Sequence, residues 1–335
     1  MTLDQQGISP TTRPKTNWIR YINIIVVVVI FYFLGSSFLR DISKAGPIKW
    51  SVNYYFLALS VVWMVVGLLT QVQVWKVNLE TLGVSSNFKD IFKLVHLANM
   101  GRYVPGKIWS VLGLVYLSKN IAVPQASAIL CSMISQITCV LAGFIFSGIL
   151  LIGFSALGHA INLWWMIIPL ALSLVFLHPY VYSKILKLIA KFTKGDNVEV
   201  EFPFWGIVKS TLMYMLVWFF HGISFSFLVL SLGDFSLKWL VYSLGIMPAA
   251  YLVGYLMLLS PGGWGIREGA MVLFLKEFMP QYLAITASVL SRLLFTVFEV
   301  VFFVIALRLS WSKNQQKELL NQTSQEDIVS KKKMQ

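Results

Sequence analysis

The chain has 335 residues, of which 57% are hydrophobic and only 12% are charged. Soluble globular proteins carry about 25% charged residues, so this composition excludes a soluble enzyme and indicates a protein whose solvent is lipid. The formal net charge of +13 does not indicate a nucleic-acid-binding protein, because the basic residues flank apolar segments and form no nucleic-acid-binding motif.

The first predicted transmembrane helix is Ile19–Leu39, which follows a polar segment, residues 1–18. An apolar run of about 20 residues is long enough to cross a hydrocarbon core of roughly 30 Å. Basic residues precede this run (Arg13, Lys15 and Arg20), so we expect the N-terminus to be cytoplasmic. No small-residue cleavage site is recognised after this first apolar run, which favours an uncleaved first helix over a signal peptide.

Five more apolar segments are long enough to span the membrane. They are Tyr54–Trp75, Pro124–Gly153, Leu163–Ser183, Ile207–Leu230 and Ala284–Leu309. The lysine-rich segment that follows Ser183 is expected in the cytoplasm, as is the polar tail, residues 310–335. The predicted membrane domain therefore covers residues 19–309.

Two further apolar stretches, Leu94–Leu117 and Trp239–Met279, are interrupted near their centres. The breaks are Gly101, Pro105 and Gly106 in the first stretch, and Pro261, Gly262 and Gly263 in the second. Proline removes a backbone donor and glycine frees φ, so each helix must stop there. Irregular backbone at membrane depth survives only where it is buried in protein or lines a wet cavity. We therefore predict two re-entrant hairpins.

The order of these segments predicts an inverted-topology repeat. Each half, residues 19–153 and residues 163–309, consists of two spans, a broken hairpin and a further span. The distribution of Lys and Arg requires the first hairpin to enter from the cytoplasm and the second from the outside. The predicted fold is therefore an all-α integral membrane protein with six transmembrane helices and two opposed hairpins. In such repeats, broken helices mark the binding site.

Charged residues stand at both breaks: Arg102 and Lys107 at the first, and Arg267 and Glu268 at the second. A charge inside a bilayer costs about 2.5 to 3.5 kcal/mol and indicates a functional site by default. A lipid phosphate or pyrophosphate could be bound here by the arginine guanidinium groups, by the lysine ammonium group and by helix N-termini that point inward. The alternative is structural: the cations of the first break reach the headgroups, and Glu268 pairs with Arg267.

Arg292 and Glu299 lie seven residues apart in the last span and so share one helix face. They are expected either to pair with hairpin residues or, in the case of Glu299, to bind a proton. Polar residues near the hairpins are predicted to line the cavity or to join helices by hydrogen bonds: Asn99, Ser110, Gln136 and Ser260.

No pattern predicts a cofactor, a metal site or an enzyme. The two cysteines, Cys131 and Cys139, are eight residues apart in one predicted helix, which is too far for a disulfide. His96 is near the first hairpin and could face its cavity, but a packed histidine is the more usual case when no metal-ligand spacing is present.

Both broken stretches resemble one known family. Residues Gly101–Ser110 resemble its basic–aromatic–aliphatic–Pro-Gly-Lys stretch, and Pro261–Ala270 resemble its Pro-Gly-Gly stretch followed by Gly-(Val/Ile)-Arg-Glu. The family is the lysylphosphatidylglycerol synthase transmembrane-domain, or flippase-like, group, and the resemblance covers Tyr54–Arg308. It implies a domain that moves lipids between leaflets, with Arg102, Lys107, Arg267 and Glu268 lining the lipid-binding centre.

The resemblance also sets limits. The 26 residues after Leu309 are too few for the aminoacyl-transferase domain of the full synthase, so lysyl transfer is not expected. The leading hypothesis is a translocator, in the bacterial inner membrane, for a phospholipid or polyprenyl-phosphate-linked lipid of the cell envelope. Two alternatives stay open: a non-transporting partner of a separate glycosyltransferase, or an integral-membrane transferase acting on a lipid phosphate.

Overall fold

The computed structural model describes residues 52–103, 108–156, 202–233, 237–256 and 265–311, together with Lys184. All regular secondary structure in these residues is helical. The helices are α1 (Tyr54–Thr81), α2 (Phe88–Asn99), α3 (Ile108–Ser118), α4 (Gln125–Ala156), α5 (Phe204–Leu232), α6 (Leu237–Leu256), α7 (Ile266–Leu275) and α8 (Gln281–Arg308). Short 3-10 turns follow α2 at Met100–Tyr103 and follow α3 at Lys119–Ile121.

Four of the helices, α1, α4, α5 and α8, are long and apolar enough to cross a membrane. The apolar segment Trp239–Tyr255 of α6 is shorter. The prediction of an all-helical membrane protein is therefore confirmed, and four of the six predicted spans coincide with long helices. The other two predicted spans, Ile19–Leu39 and Leu163–Ser183, lie outside the described residues.

Each predicted break separates two helices that pack against each other. Residues 104–107, between α2 and α3, and residues 257–264, between α6 and α7, lie outside the described part of the chain. On either side of the first break, a Cβ placed on Gly113 would lie 3.6 Å from the Cα of Ala98. On either side of the second, a Cβ on Gly254 would lie 2.8 Å from the Cβ of Arg267. The helices of each pair therefore run close beside one another.

The most extensive helix–helix contact in the described structure is between α1 and α5. The hydroxyl oxygens of Ser60 and Ser224 lie 3.3 Å apart in this interface, and Trp63 stacks on Phe220. A Cβ on Gly67 would approach the His221 ring to 2.8 Å. Glycine at this position therefore lets the imidazole of α5 pack directly against the backbone of α1. Small and hydroxyl residues at such contacts are typical of membrane helix packing.

One helix beside each break packs on a long helix that is distant in sequence. The α2 helix contacts α8, where the Phe92 and Phe302 ring centroids are 5.3 Å apart, and α6 contacts α4. One apolar cluster contains residues of α1, α2, α3 and α4 together with residues of α8, such as Phe302 and Ala306. A second cluster consists mainly of residues from α5, α6, α7 and α8. Each cluster therefore combines helices that are distant in sequence.

Candidate functional site

A cavity of about 210 Å³ lies where the two helix pairs meet the long helices. Its charged lining residues are Arg102, Arg267, Arg292 and Glu299. Its neutral polar lining comes mainly from amide and hydroxyl side chains: Gln71, Asn99, Ser110, Ser132, Ser135, Gln136, Tyr214, Tyr251, Tyr255 and Thr296. Three arginines thus line one cavity inside a largely apolar protein.

Arg102 reaches this cavity from the 3-10 turn that follows α2, and it pairs with Glu299 of α8. Its Nη1 atom lies 2.6 Å from Oε1 of Glu299, and the two side chains are 28% and 6% exposed, respectively. The turn can come close to α3 because position 101 is glycine: a Cβ there would lie 2.6 Å from the backbone nitrogen of Ser110. Gly101 therefore allows the compact turn that directs Arg102 inward.

Glu268, in the first turn of α7, forms an ion pair with Arg292 and caps the N-terminus of its own helix. One carboxylate oxygen accepts a hydrogen bond from the backbone N–H of Gly265 at 2.7 Å, and the other lies 2.6 Å from Nη1 of Arg292. Gly265 has a φ of 80°, which glycine adopts without strain. The side chain of a third-position glutamate is well placed to reach back in this way. Glu268 is not among the cavity-lining residues, so its direct effect is to position Arg292.

Arg267 is the most buried of the three arginines, with 6% of its surface exposed. Its guanidinium carbon lies 5.5 Å from the Tyr251 ring and 5.7 Å from the Phe295 ring, and Nη2 is 3.5 Å from Sδ of Met247. No carboxylate in the described part of the chain lies within 4.0 Å of it. The pairing of Glu268 with Arg267 considered from the sequence is therefore wrong, since Glu268 pairs with Arg292.

The described lining therefore carries more positive charge than its carboxylates neutralise. Burying a charge without a carboxylate partner, as for Arg267, costs several kcal/mol even after the surroundings relax. The cation–π contacts of Arg267 with Tyr251 and Phe295 offset only part of this cost, about 2 kcal/mol when desolvated. A cavity with this composition is suited to an anion, and an arginine fork is suited to a phosphate.

The neutral side of the cavity is built on α4 and joined to α6. The hydroxyl of Tyr255 donates a hydrogen bond of 2.7 Å to Oε1 of Gln136. Nε2 of Gln136 in turn lies 3.2 Å from Oγ of Ser132, one turn earlier in the helix. These hydrogen bonds fix the amide of Gln136 and give the cavity neutral donors and acceptors in addition to its arginines.

A short pattern recurs in the two long helices that line the cavity. Ser132-Met-Ile-Ser135-Gln136 in α4 is matched by Ser288-Val-Leu-Ser291-Arg292 in α8, 156 residues later. The same offset separates Pro105 from Pro261 and Gly106 from Gly262. Residues Gln136, Cys139 and Val140 line the cavity, as do Arg292, Phe295 and Thr296 at the same offset. The α4 and α8 helices thus line one cavity with residues at matching positions, neutral on α4 and partly charged on α8.

Comparison with known proteins agrees with these features. A family model for the lysylphosphatidylglycerol synthase TM region matches residues 21–302. The chain belongs to this family.

A relative of this lysylphosphatidylglycerol synthase TM-region protein is a UPF0104 membrane protein of Methanocaldococcus jannaschii. It is 22% identical over 323 residues, which cover 85% of this chain and 93% of the relative. No solved structure matches the chain. Both broken stretches and the four charged lining residues fall within the range that the family model matches.

The structure brings together most of the described residues that the sequence singled out in this family member. Arg102, Ser110, Arg267, Arg292 and Glu299 line one cavity, as do Asn99 and Gln136. The predicted site and break residues Pro105, Gly106, Lys107, Ser260, Pro261, Gly262 and Gly263 lie outside the described residues. His96 does not line the cavity; its ring packs against Phe92 and Phe302, with centroids 4.4 Å and 5.0 Å away.

Sequence reasoning missed several lining residues, chiefly Gln71, Ser132, Ser135, Tyr251 and Tyr255. The serines could have been found by aligning the chain with itself at an offset of 156 residues, which pairs both of them with serines of α8. The tyrosines carry no such signal, because aromatic residues are frequent throughout these helices. Among the described residues, no group of three His, Cys, Asp or Glu side chains could hold a metal ion.

Proposed function

We propose that this protein is a flippase-like or scramblase-like translocator for a phospholipid or polyprenyl-phosphate-linked lipid of the bacterial cell envelope. One observation carries the proposal: Arg102 and Arg267, which belong to the two separate broken stretches, face the same cavity as Arg292. Basic residues that only reached for headgroups at the surface would have no reason to converge inside the helix bundle.

The size and lining of the cavity favour a headgroup over a whole lipid. Ligand pockets for drug-sized molecules measure about 300 to 1,000 Å³, and this cavity of about 210 Å³ is smaller. Its guanidinium groups would bind the phosphate, and its amides and hydroxyls would satisfy neutral polar groups of the headgroup. The acyl or prenyl chains would stay in the surrounding lipid, where they lose no hydrophobic contact.

The proposed mechanism uses an inverted repeat of six spans and two re-entrant hairpins in the inner membrane, with both termini in the cytoplasm. The offset of 156 residues between the halves and the packing of one helix beside each break on a long helix that is distant in sequence support this arrangement. In inverted repeats the binding site lies near the midplane, and one half rocks against the other around it. The headgroup would then be exposed to each leaflet in turn.

We do not propose an enzyme. A transferase acting on a lipid phosphate needs a general base, and the two candidate carboxylates, Glu268 and Glu299, are each 2.6 Å from an arginine. Such pairing favours a role in neutralising and positioning cations. A non-transporting partner of a separate glycosyltransferase is the remaining alternative, and it predicts that the arginines can be neutralised without loss of function.

Reconstitution in liposomes tests the proposal. The full chain is placed in phosphatidylcholine vesicles that contain a fluorescent phosphatidylglycerol or, in a second arm, a fluorescent polyprenyl phosphate, and an impermeant quencher reports movement between leaflets. We expect accelerated movement of one of these lipids, and loss of the acceleration in Arg267→Gln.

Arg308→Gln, at an exposed position at the end of α8, is the matched control and should retain the acceleration. Leaflet asymmetry that stays unchanged over hours with both lipids would contradict the proposal. So would equal acceleration by the Arg267→Gln variant and the parent protein, because the buried guanidinium would then have no part in transport.

A further inference from the structure

The charged residues of the cavity are unbalanced in one direction. Those that line it are Arg102, Arg267, Arg292 and Glu299. Even when Glu268 is counted, because it forms an ion pair with Arg292, the arginines outnumber the carboxylates. Both carboxylates already bind an arginine at 2.6 Å. A positively charged group that entered the cavity would therefore meet an excess of like charge, and it could reach a carboxylate only by displacing an arginine.

Carboxylates are scarce throughout the apolar part of the sequence. Of the 14 Asp and Glu residues, only Glu268, Glu277 and Glu299 fall within the predicted spans and the two interrupted stretches. Glu277 is exposed, follows the end of α7 and does not line the cavity. Residues 104–107 and 257–264, at the two interruptions, include no acidic residue, and the first of these segments contains a lysine. The other apolar segments therefore supply no carboxylate that could receive a cation.

The neutral polar residues of the cavity can instead both donate and accept hydrogen bonds. The hydroxyl of Tyr255 donates to Oε1 of Gln136, and Nε2 of Gln136 donates to Oγ of Ser132. An amide has a second N–H and a second lone pair, and a serine hydroxyl can donate as well as accept, so Gln136 and Ser132 keep capacity for a ligand. An alcohol hydroxyl matches such a set, because it also donates and accepts. An ammonium group only donates and gains nothing from the donors.

Aromatic rings are the other groups that could bind an ammonium, since cations are attracted to ring faces. Two rings of the cavity lining, those of Tyr251 and Phe295, already contact the guanidinium of Arg267 at 5.5 Å and 5.7 Å. Tyr251 also stacks on Tyr255, with ring centroids 6.1 Å apart. These rings therefore serve a cation of the protein, whose charge would repel a second one.

We propose that the cavity selects a phosphate ester whose other substituent is uncharged and carries hydroxyl groups, as glycerol and sugars do, and that it rejects headgroups with an ammonium group. Gln136 contributes to this selection by offering the substituent a neutral amide where a carboxylate would bind a cation. The inference rests on the proposed function, since it requires the phosphate to bind the arginines. It excludes lysylphosphatidylglycerol, the lipid in the family's name, because the lysyl group is cationic.

The test uses pairs of probes that differ by one hydroxyl or amine. The first pair is a short-chain phosphatidylglycerol and its analogue with an amine in place of the terminal glycerol hydroxyl. The second pair is a short-chain prenyl phosphate that carries glucose and its glucosamine counterpart, so the two pairs distinguish the two sources of such a headgroup. The members of a pair share the phosphodiester and nearly the same size, and a difference in affinity therefore reports the ammonium group. Short-chain lysylphosphatidylglycerol is a further probe.

Binding to the purified full chain in detergent is measured at neutral pH, where the amines are protonated. Tryptophan fluorescence provides the readout, since Trp75 lines the cavity. Salt at about 1 M, where the Debye length is about 3 Å, screens attraction between anionic probes and the exposed part of the net charge of +13. We expect the hydroxyl member of at least one pair to bind, at least about tenfold more tightly than its amine counterpart.

Gln136→Glu keeps the shape of the side chain, can still accept the hydrogen bond from Tyr255 and adds a carboxylate to the cavity lining. It should shift the ratio of the two affinities at least about tenfold toward the amine probe. Gln125→Glu, at the exposed start of α4 and outside the cavity lining, is the matched control and should leave the ratio unchanged. The comparison of paired probes on the unmodified protein stands even if a variant fails to fold.

Equal affinity for the two members of a pair that binds would overturn this inference and leave the proposed function intact. So would tighter binding of lysylphosphatidylglycerol than of phosphatidylglycerol. A ratio that Gln136→Glu leaves unchanged, or that Gln125→Glu changes equally, would overturn the role of Gln136. If none of the probes binds, the proposed function and the inference are both contradicted.

Discussion

Arg102 and Glu299 are separated by 197 residues in sequence and form an ion pair of 2.6 Å. The pair joins the 3-10 turn that follows α2 to α8, the last long helix. It therefore links the turn beside the first Pro-Gly interruption to a helix that lines the cavity. A double-mutant cycle measures how strongly the two are coupled.

The cycle compares Arg102→Gln, Glu299→Gln and the double variant. Breaking a buried pair by removing one partner costs about 3 to 5 kcal/mol, and we expect about 1 to 3 kcal/mol here because Arg102 is partly exposed. The double variant should be destabilised less than the sum of the two single variants. Thermal unfolding in detergent provides the readout, and strictly additive effects would show that the pair has no energetic coupling.

Arg267→Met is expected to separate stability from function. Methionine has a similar length without the charge, and the arginine has no carboxylate within 4.0 Å in the described part of the chain. Replacing a buried, uncompensated charge by an apolar side chain should raise the unfolding temperature. Lipid translocation should fall at least tenfold in the same variant. A lower unfolding temperature would mean that the guanidinium stabilises the empty protein.

Gly101→Ala should disrupt the turn that carries Arg102. Its Cβ would lie 2.6 Å from the backbone nitrogen of Ser110, which cannot move aside without shifting α3. Gly269→Ala is the matched control, because nothing lies within 4 Å of a Cβ at that helical position and alanine is the better helix former. We expect a lower unfolding temperature for the first variant and an equal or higher one for the second. Equal behaviour of the two variants would contradict the observed close approach.

Substitutions of Glu268 should distinguish its two contacts. Glutamine can still accept the hydrogen bond from Gly265 but loses the ion pair with Arg292, whereas alanine loses both. Stability should therefore decrease in the order parent, Glu268→Gln, Glu268→Ala, and amide exchange at the start of α7 should increase only in the alanine variant. Faster exchange in both variants would mean that the charge, and not the cap, holds the helix start.

Hydropathy and the Pro-Gly breaks were enough to predict where the four long helices and the two broken stretches lie. They also pointed to Arg102 and Arg267 as residues at the breaks. The sequence could not decide the partner of Glu268, because that depends on how its side chain turns back toward Gly265 and on where α8 packs. A residue beside Arg267 in sequence was the obvious partner, and one 24 residues away is the observed one.

The lining tyrosines show a second limit. Helices in lipid are apolar on nearly every face, so periodicity does not reveal which face of α6 turns toward the cavity. Tyr251 and Tyr255 lie one turn apart and stack on each other, with ring centroids 6.1 Å apart, but other aromatic pairs in the chain do the same at helix contacts. Only tertiary packing selects them as lining residues.

The most direct measurement of the central claim is an experimental structure of the full chain in lipid nanodiscs that contain an anionic phospholipid or a polyprenyl phosphate. We predict a headgroup in the cavity, with its phosphate within hydrogen-bond distance of Arg267 or Arg102. A cavity without a headgroup, with every bound lipid held only at the outer surface of the helices, would contradict the account.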